Sequence, residues 1–278
     1  MGRTISQRVR KKLLKRVAFP LMNRLLTDSG QHLYHYSPDM DRLFAIDAFG
    51  SETYKYFTTG SLDSDSWWRA LQRLEFARGI ILDVGANTGY SATWFSTVAE
   101  QVFAFEPHPN NVRVLREHLR IRRISNVRII ESAVSDRLGS AMLRCKPRSG
   151  HHSLDDIGAS ETLSTIEVPC TTIDAFMDAE GIDRVTLLKI DVEGFEPEVL
   201  NGARHSLSSG NIERILFEYS PAFYGQRGID VELPVTMLER HGFALHFMTG
   251  EPFTADDPGA RTQCDLMAFA PGVSGWSD

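Results

Sequence analysis

Asp83-Val84-Gly85-Ala86-Asn87-Thr88-Gly89 ends a short apolar run that begins at Ile80, and it opens onto a helical pattern from Tyr90 to Ala99. A strand that ends in a glycine turn and feeds a helix is where an open α/β sheet receives its ligand. Gly85 and Gly89 let the backbone turn tightly and approach a ligand with no Cβ in between. The dinucleotide fingerprint wants a glycine where Asn87 stands, and the Lys and Ser/Thr of a phosphate loop are missing. The turn, with Ala86, Asn87 and Thr88 between its glycines, therefore suits a nucleoside ligand without a pyrophosphate. Asp83 is placed either to meet a ligand ammonium or to bond the turn's own N–H groups.

Outward from this turn the text is regular. Val102 to Phe105 reads as a second strand, about Pro109 to Arg122 as a helix and Val127 to Ile130 as a third strand. After an irregular stretch at 136–172, read as a hairpin and a loop, strands recur at 185–191 and 212–219. Helices are expected at 197–207 and 233–241, and closing strands at 244–248 and 265–270, the last two as an antiparallel end pair. Strands alternating with helices at this spacing imply a doubly wound, mostly parallel sheet. Trp67 to Phe76 also reads as a helix, whereas 28–66 shows no firm periodicity. The organisation expected is a basic N-terminal arm and helical cap over 1–50 and a Rossmann-like domain over 51–278.

Glu106 ends the second strand and is followed by Pro107. A carboxylate there is placed to accept two hydrogen bonds from ribose hydroxyls. After the third strand, Ser132 and Ala133 can offer a hydroxyl or a backbone group to an adenine edge. The segments Asp83 to Gly89, Glu106-Pro107, Ala133-Val134-Ser135-Asp136, Lys189-Ile190-Asp191-Val192-Glu193-Gly194, Leu200-Asn201-Gly202-Ala203 and Glu218-Tyr219 together resemble the FkbM-type methyltransferases. The resemblance runs from about 80 to 225. It implies a class I fold of seven strands with an antiparallel last strand, S-adenosylmethionine as cofactor with S-adenosylhomocysteine as product, and methyl transfer to a hydroxyl oxygen. Similar proteins act on sugars, glycolipids and polyketides, so the acceptor stays open. Adenosylmethionine has ribose and adenine but no phosphate, in keeping with the turn.

Two other classes compete. One is an NAD(P)-dependent oxidoreductase, against which stand Asn87 at the middle glycine position and the lack of a Tyr-x-x-x-Lys pair. The other is a non-catalytic nucleoside-binding protein that has kept the fold, which loss of Glu106, Gly85 or the Lys189 to Gly194 motif would favour, yet all are present.

The composition of the 278 residues is globular, 42% hydrophobic and 24% charged, which excludes disordered and disulfide-scaffold classes. No apolar run approaches the ~18 residues of a membrane span. Three scattered cysteines favour a reducing cytoplasm. The net charge of -6 hides eight Lys/Arg and no acid within residues 1–26, leaving 22 basic against 36 acidic residues in the remainder. That acidic body argues against nucleic acid as a partner. The arm repeats Ile5, Val9, Leu13 and Val17 between cations, an amphipathic pattern. It is expected to touch an anionic membrane at the inner face, or the acidic body of a second subunit in a homodimer.

An alcohol with a pKa near about 16 must lose its proton as it is methylated. The strand ending Lys189-Ile190-Asp191-Val192-Glu193-Gly194 should face the reacting centre, and Asp191 also touches the cofactor rim. If extension continues to Glu193, Asp191 and Glu193 point to one side, and Glu218 ends the next strand. One reading makes a carboxylate the base, helped by Lys189 or by His151 or His152 from the loop. The other places Mg²⁺ on Asp191, Glu193 and Glu218, without a His or Asn to complete an octahedral set. A third reading has Glu193 and Glu196 merely stabilising a helix N-terminus.

Overall fold

A computed structural model describes Leu71, residues 78–146, 152–155, 162–254 and 262–276, and the backbone of two strands, β1 (Leu33–Ser37) and β2 (Arg42–Ile46). The basic arm over 1–26, the expected boundary at 50/51 and His151 lie outside the described residues. Of the helix expected over 67–76 only Leu71 is described, helical and fully buried. β1 and β2 form an antiparallel pair with Leu33 opposite Ile46, inside a stretch where no periodicity stands out.

From β3 (Ile80–Val84) the chain passes through α1 (Tyr90–Phe95), β4 (Gln101–Phe105), α2 (Pro109–Ile121) and β5 (Val127–Ile130). A small sheet follows, built from β6 (Ala133–Val134) and the hairpin of β7 (Gly139–Cys145) and β8 (Ser164–Thr171). Then come α3 (Ile173–Glu180), β9 (Leu187–Ile190), α4 (Glu196–Asn201), α5 (Arg204–Ser208), β10 (Arg214–Tyr219), α6 (Pro221–Gln226), α7 (Leu233–Arg240), β11 (Ala244–Phe247) and β12 (Cys264–Phe269). The main sheet has seven strands in the order β11-β12-β10-β9-β3-β4-β5. β3 runs parallel to β4 and β9, whereas β12 is antiparallel to both its neighbours. This is the class I methyltransferase architecture, and the winding reverses on either side of β3.

Parallel strands buried on both faces read as continuous apolar runs, and here the two faces alternate residue by residue. Leu82, Val84, Phe103, Phe105, Leu188 and Ile190 fill one core, while Ile81, Val102, Ala104 and Leu187 fill the other.

Three boundaries differ from the reading of the sequence, each for a local reason. α1 stops at Phe95, where the Ser96 and Thr97 hydroxyls bond back to the Thr93 and Trp94 carbonyls and compete with continued helix. The helix expected over 197–207 is two short helices broken at Gly202, whose backbone passes so close to the Ser135 carbonyl that a Cβ would sit 2.1 Å from it. β9 ends at Ile190, so extension does not reach Glu193 and the alternation argument for Asp191 and Glu193 fails.

Candidate active site

The glycine turn is left-handed at three of its residues, Gly85 (φ 77), Asn87 (φ 51) and Gly89 (φ 90). Its glycines are needed for a reason other than ligand approach. A Cβ on Gly85 would lie 1.9 Å from the Asp191 carbonyl oxygen, and one on Gly89 would lie 2.2 Å from Leu115 Cδ1. The turn is thus wedged between the end of β9 and the flank of α2. Ala86 and Thr88 are buried within it, at 2% and 3% exposure.

Buried side chains from three elements each hold one peptide group of this turn. Lys189 on β9 donates from Nζ to the Gly85 carbonyl at 2.9 Å. Glu106, just after β4, accepts the Asn87 N–H on Oε2 at 2.9 Å. On α2, His118 Nδ1 lies 2.5 Å from the Thr88 carbonyl oxygen. Of these, only His118 has no place in the reading of the sequence. A signal was present, since His118 occupies a buried position of the apolar stripe that Val112, Leu115 and Leu119 form along α2.

Asp83 is fully buried beneath the turn, where it bonds the Ser91 hydroxyl at 2.6 Å and pairs with Lys189 at 3.3 Å. It therefore faces neither a ligand ammonium nor the turn's N–H groups. Burial pushes its carboxyl above the usual range, against the pull of Lys189 and the Ser91 bond. Lys189 stands between two carboxylates, with Asp191 also at 3.3 Å, and these anions hold its ammonium charged despite burial.

Glu106 is 5% exposed, and burial lifts its pKa to about 7 although three donors favour the charged form. Oε1 accepts His108 N–H at 2.8 Å and Asn111 Nδ2 at 3.1 Å, and Oε2 accepts Asn87 N–H. A carboxylate oxygen accepts about two bonds. Among the described residues Glu106 thus keeps one acceptor position, on Oε2, without a protein donor. Asn87 Oδ1 beside it is buried without a hydrogen-bond partner among the described residues. Both of these atoms are acceptors, which suit hydroxyl and ammonium donors. Half-buried Pro107 follows Glu106. Ser132 and Ala133 are buried, and the Ser132 hydroxyl donates to the Ala133 carbonyl at 2.9 Å.

At the carboxyl edge of β9 and β10 the structure brings four carboxyl groups together, by a route other than strand alternation. The chain kinks at Glu193, a non-glycine residue at φ 55, and such backbone strain gathers at functional sites. Glu196 closes the kink from α4, its Oε1 accepting Val192 N–H at 3.0 Å and Gly194 N–H at 3.2 Å. Burial lifts Glu196 to about 7 and, with repulsion from Asp191, lifts Glu218 to about 8. Glu193 is pushed well up by burial and by its acidic neighbours Glu218, Asp191 and Glu196. Glu218 accepts the Ser220 hydroxyl at 3.0 Å and a Gln263 amide. The Asp191 side chain is 44% exposed and the most open of the predicted acids for which the edge offers a direct ion pair. Among the described residues no group of three or more His, Cys, Asp or Glu is arranged to hold a metal ion.

His152 does not swing free over this edge. Its Nδ1 accepts the Lys146 N–H at 3.0 Å, and its ring stacks on His108 with centroids 4.1 Å apart. The next residues cross to the other rim. Ser153 donates to the Glu193 carbonyl at 3.3 Å, and Asp155 pairs with Arg227 at 3.5 Å. Arg227, absent from the reading of the sequence, also bonds Gly194 O and Glu198 and stacks over Phe195 at 3.8 Å.

Comparison with known proteins follows the same lines. Residues 83–249 match the methyltransferase FkbM domain. Over 134 residues the chain is 33% identical to the hexuronic acid methyltransferase AglP of Haloferax volcanii, covering 48% of this chain and 53% of that protein. Over 163 residues it is 28% identical to the 2-O-methyltransferase NoeI of Sinorhizobium fredii, covering 53% of this chain and 65% of that one. The chain thus spans between about half and two thirds of the length of these relatives. Among solved structures, SMU.1697c of Streptococcus mutans in complex with SAH superposes with a TM-score of 0.44 at 12% identity, over 74% of this chain and 96% of that one.

Proposed function

The chain belongs to the FkbM methyltransferase family, and from that premise we propose that it is an S-adenosylmethionine-dependent O-methyltransferase acting on a hydroxyl of a sugar, glycolipid or polyketide-type acceptor. The observation that carries the reading is the acceptor-lined glycine turn, with one open position on Glu106 Oε2 and the unpartnered Asn87 Oδ1. Glu106 and Asn87 would hold the ribose and the amino-acid donors, over a backbone fixed by Lys189. When bound, the cofactor supplies a sulfonium methyl with an excellent leaving group. The chain's own task is to align the acceptor hydroxyl and take its proton, and alignment of this kind is worth about 7 to 11 kcal/mol.

For that proton the reading assigns Asp191, with Glu193 beside it. Asp191 is open to solvent on one side and paired with Lys189 on the other, so an acceptor hydroxyl can reach it. Lys189 orients Asp191 and does not move protons, because its ammonium faces Gly85 O, Asp83 and Asp191 at once. Mg²⁺ on the carboxylate edge is not required by this reading. The sugar acceptor draws support from AglP and NoeI, which are named for a hexuronic acid and for 2-O-methylation. No helix among the described residues is long and apolar enough to cross a membrane. The cations of residues 1–26 support peripheral contact with an anionic membrane face, which would suit a glycolipid acceptor. A dinucleotide oxidoreductase finds no phosphate donors on this turn.

Calorimetry with adenosylhomocysteine and NAD, followed by a labelled-methyl assay on a panel of sugars with and without EDTA, tests the reading. Micromolar binding of adenosylhomocysteine and label in a base-stable ether product are expected. Binding of NAD alone would overturn it.

A further inference from the structure

Thr88 is 3% exposed, so its carbonyl must find its donor inside the protein. The group that meets it is the imidazole of His118, itself 1% exposed, with Nδ1 at 2.5 Å. A carbonyl oxygen can only accept, so the hydrogen must reside on Nδ1. Packing alone does not account for a histidine here. Leu115, one turn earlier on α2, supplies the apolar support directly under Gly89, and the Tyr90 ring meets the imidazole edge-on at 5.5 Å. A leucine at 118 would continue that apolar stripe but leave the Thr88 carbonyl buried without its donor.

The peptide between Thr88 and Gly89 is a place in the turn where orientation is loosely determined by local sterics. Gly89 adopts either hand at little cost, and its positive φ of 90 is held by what surrounds it. On one side Gly89 N–H donates to Ala86 O at 2.8 Å, and on the other Gly89 O accepts Thr93 N–H at 3.0 Å as α1 begins. The remaining polar atom of that peptide, the Thr88 oxygen, is fixed by His118. Lys189 and Glu106 fix the preceding peptides at Gly85 and Asn87 in the same manner.

We propose that His118 is a positioning residue of the cofactor site, whose Nδ1–H turns the Thr88 carbonyl toward α2 and so keeps the turn in its ligand-receiving shape. It acts through the backbone and does not touch the cofactor. The proposal rests on the adenosylmethionine reading above.

The test uses adenosylhomocysteine as probe and the full chain with His118→Asn, His118→Gln and His118→Leu. An asparagine amide N–H stands close to the place of Nδ1–H, whereas a glutamine amide stands nearer that of Nε2–H. The leucine and glutamine variants are expected to bind the probe at least about tenfold more weakly in calorimetry, with asparagine recovering most of the loss. A purely structural role would instead move thermal stability without ranking asparagine above glutamine. Equal binding by all three variants and the parent overturns the proposal, as does asparagine no better than glutamine. Should the leucine variant not fold, the ring-nitrogen resonances of His118 in the parent decide. An Nδ1–H tautomer at neutral pH is expected, and an Nε2–H tautomer would overturn the proposal. A parent that binds no adenosylhomocysteine overturns the cofactor reading and this role with it, whereas a parent that binds beside indifferent variants overturns this role alone.

Discussion

The glycine turn after β3 and the kink after β9 lie side by side, and they treat charge in opposite ways. At the turn, a cation, an anion and an imidazole each meet a peptide group of matching polarity, so the backbone is held by complementary partners. At the kink, Asp191, Glu193, Glu196 and Glu218 lie together, Lys189 pairs with Asp191, and burial with mutual repulsion raises the titration of the other three. Of the grips on the turn, Lys189 keeps its charge near neutral pH, whereas Glu106 titrates at about 7. At the kink, burial and acidic neighbours make Glu193, Glu196 and Glu218 hold their protons to higher pH. Lys189 belongs to both regions, and for that reason it is the place to break the contrast.

Replacing Lys189 by methionine leaves Asp83 as a fully buried, unpaired carboxyl. Removing one partner of a buried ion pair costs about 3 to 5 kcal/mol, so a large drop in the thermal midpoint is expected, together with weakened adenosylhomocysteine binding. In this variant the Asp83 pKa in the folded state rises further above its unfolded value. Stability is then present at low pH and lost as pH rises through the folded value, so the deficit should shrink on acidification. Addition of Asp83→Asn to Lys189→Met should recover much of the stability, and a double variant no more stable than the single one would contradict the pairing.

A smaller effect is expected at the kink. Asp191→Asn keeps the shape but removes the proton acceptor, and turnover should fall by at least about tenfold, near 1.4 kcal/mol, while calorimetric affinity for adenosylhomocysteine changes little. Activity surviving in both Asp191→Asn and Glu193→Gln would remove these carboxyls from the chemistry. Full activity in EDTA would remove only a metal on the same edge.

The last effect is spread over several pH units. Glu106 and Glu196 titrate at about 7 and Glu218 at about 8 in the folded chain, all above their value of 4.5 when unfolded. Raised carboxyls contribute stability that is complete below the unfolded pKa and lost as pH climbs through the folded one. The thermal midpoint should therefore decline from about pH 5 to about pH 8, each group adding at most about 1.4 kcal/mol per pH unit. Glu218→Gln should flatten the part between about 7 and 8, and a slope unchanged by that substitution would show that Glu218 is not among the titrating groups.

The same contrast explains what the sequence made legible. The glycine turn, Glu106 before Pro107 at the end of β4 and Asp191 just after β9 all lie at strand ends, and strand ends are visible as breaks in apolar periodicity. The doubly wound, mostly parallel character of the sheet followed from the alternation of strands and helices. What stayed hidden depends on neighbours remote along the chain. His118 looked like a polar lapse in the stripe of α2, because its partner is the Thr88 carbonyl and carbonyls leave no mark on a sequence. Gly202 looked like an interior helix residue because the Ser135 carbonyl that breaks the helix is far away in the chain. The kink at Glu193 reads as strand continuation because Val192 and Glu193 have no intrinsic stop, and the N–H groups that Glu196 gathers are again backbone.

The bond from Lys189 to Gly85 O joins positions 104 residues apart, whereas Glu106 and His118 reach the turn across 19 and 30. A growing or refolding chain that has assembled only β3, α1, β4 and α2 therefore possesses two of the three grips and lacks the third. Contacts of large sequence separation form late because closing a long loop must precede them. The crevice becomes competent only after β9 has docked against β3, which makes ligand binding a privilege of the finished sheet. Ligand then slows the unfolding of the whole domain without rescuing any half-assembled form, and the turn serves as the molecule's own record of having folded to completion.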